Sequence, residues 1–306
     1  MRAPHPIRLL GLDFAALTLE GAARWIEQRP DSAPFGYIVT PNADHFVRLS
    51  RDPALSAIYR SALLRLLDSR VVAKAARGLG LLAPPVVTGS DLTARLLAGL
   101  PRHAPVTIVG LRPEHVPALR ARYGLAALAH HNPPPDFERD RGAMRDAVRF
   151  VLDHPARLVF LALGSPRQEM LAAAIRAEGG ASGTGLCIGA GLDFLTGAAR
   201  RAPAWMQRAG LEWLHRLSAD PARLARRYLR DDPPIFAMLL RERMRSGELR
   251  PVIAHPLPQP PPARHALGPA EGRTRGGGGY SSSPPSLAGG GRGEGALPVP
   301  ELETLV

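Results

Sequence analysis

The sequence predicts an α/β protein: a mostly parallel sheet flanked by helices, then a helical appendage and a disordered tail. Three observations carry this. Between about residues 36 and 188, short apolar runs of strand length alternate with stretches of helical spacing. Recognisable helix starts stand between those runs, and strand, helix, strand repeated in this way builds a parallel sheet covered by helices. After about residue 197 the strand signals stop, and from 251 to 306 the chain holds 11 prolines and 11 glycines in 56 residues. The arrangement is Rossmann-like, with boundaries at 1–197, 198–249 and 250–306.

The strand candidates are Gly36–Val39, Leu64–Leu67, Val106–Val109, Leu125–Ala129, Leu158–Leu163 and Leu186–Ile188. Asp52-Pro53 reads as an N-cap with proline at the first helical position, followed by Leu55, Ile58, Tyr59 and Leu63 on one face. Ser90-Asp91 opens a helix through Leu96 and Leu97, Pro113 opens another, and Ser165-Pro166 caps one carrying Met170, Leu171 and Ile175. Three helical pieces follow at about 202–217, 220–230 and 233–246, the last two announced by Asp220-Pro221 and Asp232-Pro233. The tail, with its Gly276–Gly279 and Gly289–Gly291 runs, has too little apolar surface to offset chain entropy.

Net charge is +12, and all but one unit of it falls before Arg250, where it can organise a field for anionic partners. One lysine, Lys74, stands against 38 arginines, which reads first as codon bias. The single cysteine, Cys187, excludes a disulfide framework and a multi-cysteine zinc site, and within Leu186–Ile188 it reads as a small buried hydrophobe. No apolar run reaches the roughly 18–20 residues of a membrane span, and the N-terminus lacks a signal-peptide core. The expectation is a cytoplasmic protein, soluble or peripheral on the inner face of the membrane.

In open parallel sheets, ligands bind beyond the C-terminal ends of the strands. Three polar clusters fall there: Thr40-Pro-Asn42-Ala-Asp44-His45, Asp68-Ser69, and Gly164-Ser-Pro-Arg-Gln168-Glu169. A carboxylate at a strand tip is partly desolvated, which raises its basicity as a general base requires. On pattern alone Asp68 also reads as a cap or turn former, and Thr40 and Asn42 as N-caps of the next helix. Gly185, Gly189, Gly191 and Gly197 bracket Leu192-Asp193-Phe194, a turn able to cradle phosphate but not spaced as a dinucleotide fingerprint. His130-His131 reads as a loop pair without metal-ligand spacing.

Between residues 200 and 230, eight arginines face two acids, with Trp205, Trp213, Leu224 and Tyr228 interleaved. Such helices suit a diphosphate and an anionic membrane surface alike. Packing of the same apolar residues on the sheet is the alternative, and the two readings are compatible.

Together these blocks resemble one family of bacterial glycosyltransferases. It is typified by the N-acetylmannosaminyltransferases of teichoic acid synthesis, the aminouronic-acid transferase of enterobacterial common antigen and related exopolysaccharide transferases. The carriers, in the family's order over about residues 8–246, are Thr40-Pro-Asn42, Asp68, Gly89-Ser-Asp91-Leu92, Gly164–Glu169, Leu192–Gly197, Arg201-Ala-Pro-Ala-Trp205, Glu212-Trp213-Leu-His-Arg216 and Arg223–Tyr228. The resemblance implies inverting transfer from a UDP-sugar to a sugar on undecaprenyl diphosphate, with no metal and no other cofactor. It implies that Asp68 is the base, with Thr40 beside it, and that Asn42 and Gln168 belong to the donor site. Glu169 and Asp193 complete the substrate set. Without a divalent ion, the departing diphosphate needs fixed cations, and Arg201, Arg216, Arg223, Arg226 and Arg227 are the suppliers. Ser69 departs from the pattern, standing where the family usually has glycine, and the tail has no counterpart.

Two rival readings fit the sequence less well. A nucleic-acid-binding protein would explain the charge, but the basic residues sit on one terminal segment beside strand-end acids, so no nucleic-acid partner is expected. A nucleotide-dependent oxidoreductase lacks its glycine fingerprint. The sugar, the acceptor glycan and the oligomeric state stay open, a homo-oligomer included.

Overall fold

The computed structural model describes residues 5–198 and 201–246. The chain opens with an antiparallel hairpin, β1 (Ile7–Leu9) and β2 (Leu12–Phe14). Next come α1 (Leu19–Glu27), β3 (Gly36–Val39), α2 (Ala43–Leu49), α3 (Pro53–Ser61), β4 (Leu64–Arg65), α4 (Arg70–Gly78), α5 (Gly89–Ala98) and β5 (Val106–Gly110). The α/β part closes with α6 (Val116–Tyr123), β6 (Leu128–His131), α7 (Arg141–Asp153), β7 (Leu158–Ala162), α8 (Arg167–Glu178), β8 (Thr184–Cys187) and α9 (Gly191–Leu195). Four helices follow: α10 (Ala204–Ala209), α11 (Glu212–Ala219), α12 (Pro221–Arg226) and, after a π-turn over Arg227–Asp231, α13 (Pro234–Ser246). The tail at 250–306 lies outside the described residues.

β3 to β8 form one six-stranded sheet in the order β4-β3-β8-β7-β5-β6, every neighbouring pair parallel. Helices cover both faces, which is why these strands read as unbroken apolar runs rather than alternating ones. Successive residues still point to opposite sides. Tyr37, Val39, Val159 and Leu161 pack with α2, α3, α4, α7, α8 and α13, whereas Ile38, Leu158 and Phe160 pack with α1, α5, α6 and α9. The crossover from β5 runs outward to β6 while that from β7 runs back to β8, so a crevice opens between the tips of β5 and β7. Gly110 sits at that point with φ +91°, and a Cβ there would lie 2.5 Å from Ala162 O. Only glycine fits.

Several local expectations need correction. The strand expected at Leu125–Ala129 lies at Leu128–His131, because the left-handed Gly124 ends α6 and Leu125 to Ala127 turn before the ladder with β5 begins. His130 and His131 are therefore on a strand, not in a loop. Thr88, not Ser90, caps α5, its hydroxyl accepting from Asp91 N–H at 3.1 Å. Ser165 makes no cap on α8; its carbonyl accepts from Arg48 Nη1 at 2.8 Å. The first appendage helix is split by Gly210, with φ +80°.

The appendage is not a separate layer throughout. Ile235 and Leu239 of α13 are 1% and 0% exposed and belong to the same core cluster as Tyr37 and Val39. On the same side of that helix, Glu242 Oε1 accepts from Leu10 N–H at 3.1 Å, fastening α13 to the hairpin. The edge strand β4 is held by Arg65, buried and without a carboxylate partner among its bonds. Its guanidinium donates to the carbonyls of Asp13 (2.6 Å), Arg60 (2.8 Å), Ala62 (2.9 Å) and Tyr59 (3.3 Å). The five-donor fork of arginine satisfies what a lysine could not, and it fixes the strand whose tip carries Asp68.

Candidate active site

Asp68 stands where the chain leaves β4. Its own N–H donates to Pro41 O at 3.0 Å, so the tips of β3 and β4 are tied together there. Gly89 N–H, in the first turn of α5, donates to Asp68 Oδ2 at 3.1 Å. Thr40, buried at the tip of β3, donates to Cys187 O at 3.3 Å, and a Cβ on Gly89 would come within 3.1 Å of its hydroxyl oxygen. Glycine at 89 thus lets one backbone N–H reach the carboxylate while Thr40 packs against it. Ser69 supplies the N-cap of α4, its hydroxyl accepting from Val72 N–H at 3.2 Å.

The appendage faces this floor across a cavity of about 340 Å³. Asn42, Asp68, Ser69 and Arg70 line it from the sheet side, and Glu212, Trp213, Arg216, Arg227, Tyr228, Asp232 and Phe236 from the other. Arg216 Nη2 donates to Glu212 Oε1 at 3.1 Å, and its guanidinium lies over the Phe194 ring at 4.9 Å. Arg70 reaches the same Glu212 at 4.0 Å. Trp213 and Tyr228 meet edge to face at 5.9 Å, giving the cavity an aromatic wall.

Arg201 is held by Asp91 (2.6 Å), with its second amino group 3.5 Å from Thr88 Oγ1. Burial pushes Asp91 up, but the hydrogen bonds from Arg201 and Thr88 outweigh it and leave that carboxyl below its ordinary value. Arg227 donates to Asn42 Oδ1 at 3.3 Å and lies between Asp44 (3.7 Å) and Asp232 (3.9 Å). The Nε groups of Arg201, Arg216 and Arg227 are buried and make no hydrogen bond among the described residues. Arg226 is exposed, 3.8 Å from Asp231, and does not line the cavity. The side chain of Arg223 lies outside the described residues.

Electrostatically, Asp68 is the distinctive group. Burial pushes its carboxyl up to about 6, against the pull of the Gly89 N–H and the nearby Arg216 guanidinium; Glu212 and Asp91 add to the rise. It is half-buried, so the cleft strips away bulk water yet leaves the oxygens reachable. At pH 7 a group of this acidity is roughly nine-tenths ionised and far more basic than a solvated aspartate. His45, just inside α2, is held neutral by burial, at about 3.

The structure separates Gln168, Glu169 and Asp193 from this cavity. Gln168 and Glu169 are 2% and 1% exposed. Gln168 accepts from Gly189 N–H at 2.7 Å and donates to Glu169 Oε1 at 2.9 Å, and Tyr59 donates to the same Glu169 oxygen at 3.0 Å. Their contacts hold the turn after β8 rather than face the cavity. Asp193, on α9, is half-buried beside the crevice at the tip of β5; burial raises it, with His115 and Arg112 opposing. Asn42 does serve as the N-cap of α2, its Oδ1 accepting from His45 N–H at 3.4 Å, and it also lines the cavity. The sequence reading left out Glu212, Tyr228 and Asp232 as site residues. The repeated acid and aromatic among the appendage arginines were the available signal.

A strand-tip carboxylate of raised basicity, facing half-buried arginines across an aromatic-walled cleft on a Rossmann-like sheet, is an arrangement that suits group transfer. The glycosyl transferase WecG/TagA/CpsF family model matches residues 7–248. The chain belongs to that family and is a glycosyltransferase.

Proposed function

We propose that the protein moves a sugar from a UDP-sugar to a hydroxyl of a saccharide carried on a polyprenyl diphosphate, with inversion at the anomeric carbon. The observation that carries this reading is the opposition of Asp68 to buried guanidinium N–H groups that make no hydrogen bond. Asp68 takes the acceptor hydroxyl's proton as that oxygen bonds to the anomeric carbon. The bond from that carbon to the diphosphate oxygen breaks, and the leaving group departs with the electron pair. Arg216 and Arg201 neutralise the charge that develops there, while the exposed Arg226 takes no part. Thr40 backs the base, and Asn42 faces the ligand. Gln168 and Glu169 contribute by anchoring the Gly189 turn, and Asp193 borders the crevice for the nucleoside.

The lipid-linked acceptor is supported by the surface of the appendage. Of the exposed large apolar side chains among the described residues, all but Leu82 fall between Trp205 and Met244. Phe236, Leu240 and Met244 recur every fourth residue on the exposed side of α13, beside the buried row of Ile235 and Leu239, with Arg241 and Arg245 also exposed. Such a face suits the headgroup region of an anionic bilayer. Among the described residues no helix is long and apolar enough to cross one.

The deciding experiment incubates the purified protein with a panel of UDP-sugars and a short-chain polyprenyl diphosphate saccharide, and reads the product linkage by NMR. An inverted linkage is expected with one donor. Product of retained configuration, or transfer only to water-soluble glycans, would overturn the mechanism or the acceptor. Flotation with anionic vesicles, reversed by salt and weakened by Phe236→Ser with Leu240→Ser, tests the surface; unchanged flotation removes it.

A further inference from the structure

Asn42 and Arg227 meet at the seam between the strand-end loop and the appendage. The carboxamide oxygen of Asn42 receives two donors, the backbone N–H of His45 at 3.4 Å and Arg227 Nη2 at 3.3 Å. Two N–H groups converging on one atom settle which end of the amide it is: an amide nitrogen there would face two donors. The NH₂ end is therefore turned away from both, on a residue that lines the cavity. Arg227 itself is bracketed by two carboxylates, Asp44 at 3.7 Å and Asp232 at 3.9 Å. Asp44 is also gripped by Arg48, whose Nη1 donates to Ser165 O at 2.8 Å, so the contact continues into the loop before α8. Arg227 opens the π-turn, in which Asp232 N–H donates to Arg227 O at 2.8 Å, a local irregularity that brings Arg227 and Asp232 to the same cavity.

From this geometry we infer that Arg227 is a positioning residue. It fixes the Asn42 carboxamide so that its NH₂ group is offered to an acceptor oxygen of the bound ligand, and it is not itself a diphosphate ligand. Arg216 and Arg201 each hydrogen-bond a carboxylate, whereas the side-chain hydrogen bond of Arg227 goes to the Asn42 carboxamide, with Asp44 and Asp232 beyond hydrogen-bond distance at 3.7 and 3.9 Å. What it supplies is a directed N–H. This inference rests on the proposed transfer reaction for its kinetic readout but not for its structural one.

The test follows the Asn42 side-chain NH₂ pair in the ¹⁵N spectrum of the full chain, assigned by its loss in Asn42→Ser, which keeps the N-cap. Arg227→Gln and Arg227→Lys should both shift or broaden that pair, because lysine keeps the charge but not the planar fork. In turnover, Arg227→Gln should lower kcat/KM about tenfold alone and by less than about twofold when Asn42 is already serine, a coupling typical of contacting residues. An unchanged NH₂ pair in both Arg227 variants overturns the inference. So does an equal loss from Arg227→Gln in the Asn42→Ser background, or full rescue by Arg227→Lys, either of which marks a direct charge contact. If Arg227→Gln does not fold, Arg227→Lys carries both arms. Absence of transfer by the wild type with every donor would sink the transferase reading while the spectrum still decides the role of Arg227.

Discussion

Replacing Asp68 with asparagine should cut transfer steeply and make the protein more stable. The carboxyl sits at about 6 in the folded chain against an ordinary value of 3.8. A group raised on folding favours the native state only while protonated; that advantage is complete below pH 3.8 and is lost as pH rises through 6. At pH 7.5 the ionised carboxylate therefore costs the fold about 3 kcal/mol, at 1.36 kcal/mol per pKa unit. Asparagine removes the charge, and its carboxamide oxygen can still accept the Gly89 N–H. Its amide nitrogen brings a desolvation cost of about 1 kcal/mol or more, leaving a net gain of about 1–2 kcal/mol. For a chain of this size that is a Tm rise of roughly 3–6 °C. Transfer should fall by about 10²–10⁴-fold, the usual worth of a general base. Thermal unfolding at pH 7.5 and at pH 3.5, beside initial rates with saturating donor, makes the assay. The stability gain should vanish at the lower pH, where Asp68 is protonated in the folded chain and mostly so in the unfolded one. A variant that is less stable at pH 7.5, or that turns over at the wild-type rate, refutes the argument.

The kcat/KM of the wild type should rise with pH on a limb near 6, since the ionised form of Asp68 is the base. Arg216 holds that carboxyl down, so Arg216→Gln should move the limb upward; a downward shift would place Arg216 elsewhere in the mechanism. Leu239→Ala should cost about 2–5 kcal/mol by denaturant titration, because this side chain is fully buried in the sheet's own core. For the same reason a chain ending at 197, expected from the sequence to leave a folded sheet domain, should expose apolar core and bind a hydrophobic dye. A chain ending at 249 should retain wild-type turnover within about twofold, measured with the same donor, since among the described residues none that lines the cavity lies beyond Phe236. Excess chelator should leave the rate within about twofold, the departing charge being met by guanidinium groups; strict magnesium dependence would contradict that.

The strands were legible because doubly covered parallel strands are apolar on both faces, and no other short segment of this chain needs to be. Helix starts were legible where a cap and a proline coincide, as at Asp52-Pro53, where Asp52 does accept from Leu55 N–H at 2.9 Å. They misled where a hydroxyl served a tertiary contact, as at Ser165, whose oxygen lies 3.3 Å from Tyr59 Oη. The β1–β2 hairpin and helices α1, α7 and α9 went unread, and α2 and α4 were legible only through the caps read at Asn42 and Asp68. At the site, Asp68 was visible as an acid after an apolar run, but the neighbours that tune it lie 21 and 148 positions away, at Gly89 and Arg216. Local pattern carries no information about which distant arginine a carboxylate will face. That is why Arg216, Arg226 and Arg227 looked equivalent in sequence and differ in the structure.

That difference bears on how the site is built. A cluster of free guanidinium groups around one carboxylate would repel itself and hold the carboxylate's pKa down, removing the basicity the transfer requires. Here Arg216 is matched by Glu212, Arg201 by Asp91 and Arg227 by Asp44 and Asp232, while Arg226 stays in solvent beside Asp231. The cations are thus partly neutralised before any ligand arrives, and Asp68 keeps a carboxyl near 6 despite lying within reach of Arg216. A diphosphate entering the cavity would find oriented N–H groups on side chains already fixed by their acids, so little ordering is left to be done as the leaving group's charge develops. Removing a matching acid should therefore damage catalysis through Asp68 as well as through the arginine. In Glu212→Gln, Arg216 is released toward Asp68, the carboxyl falls, and the acid limb of kcat/KM moves to lower pH together with a lower plateau. A lower plateau with an unmoved limb would mean that Glu212 serves only to place Arg216.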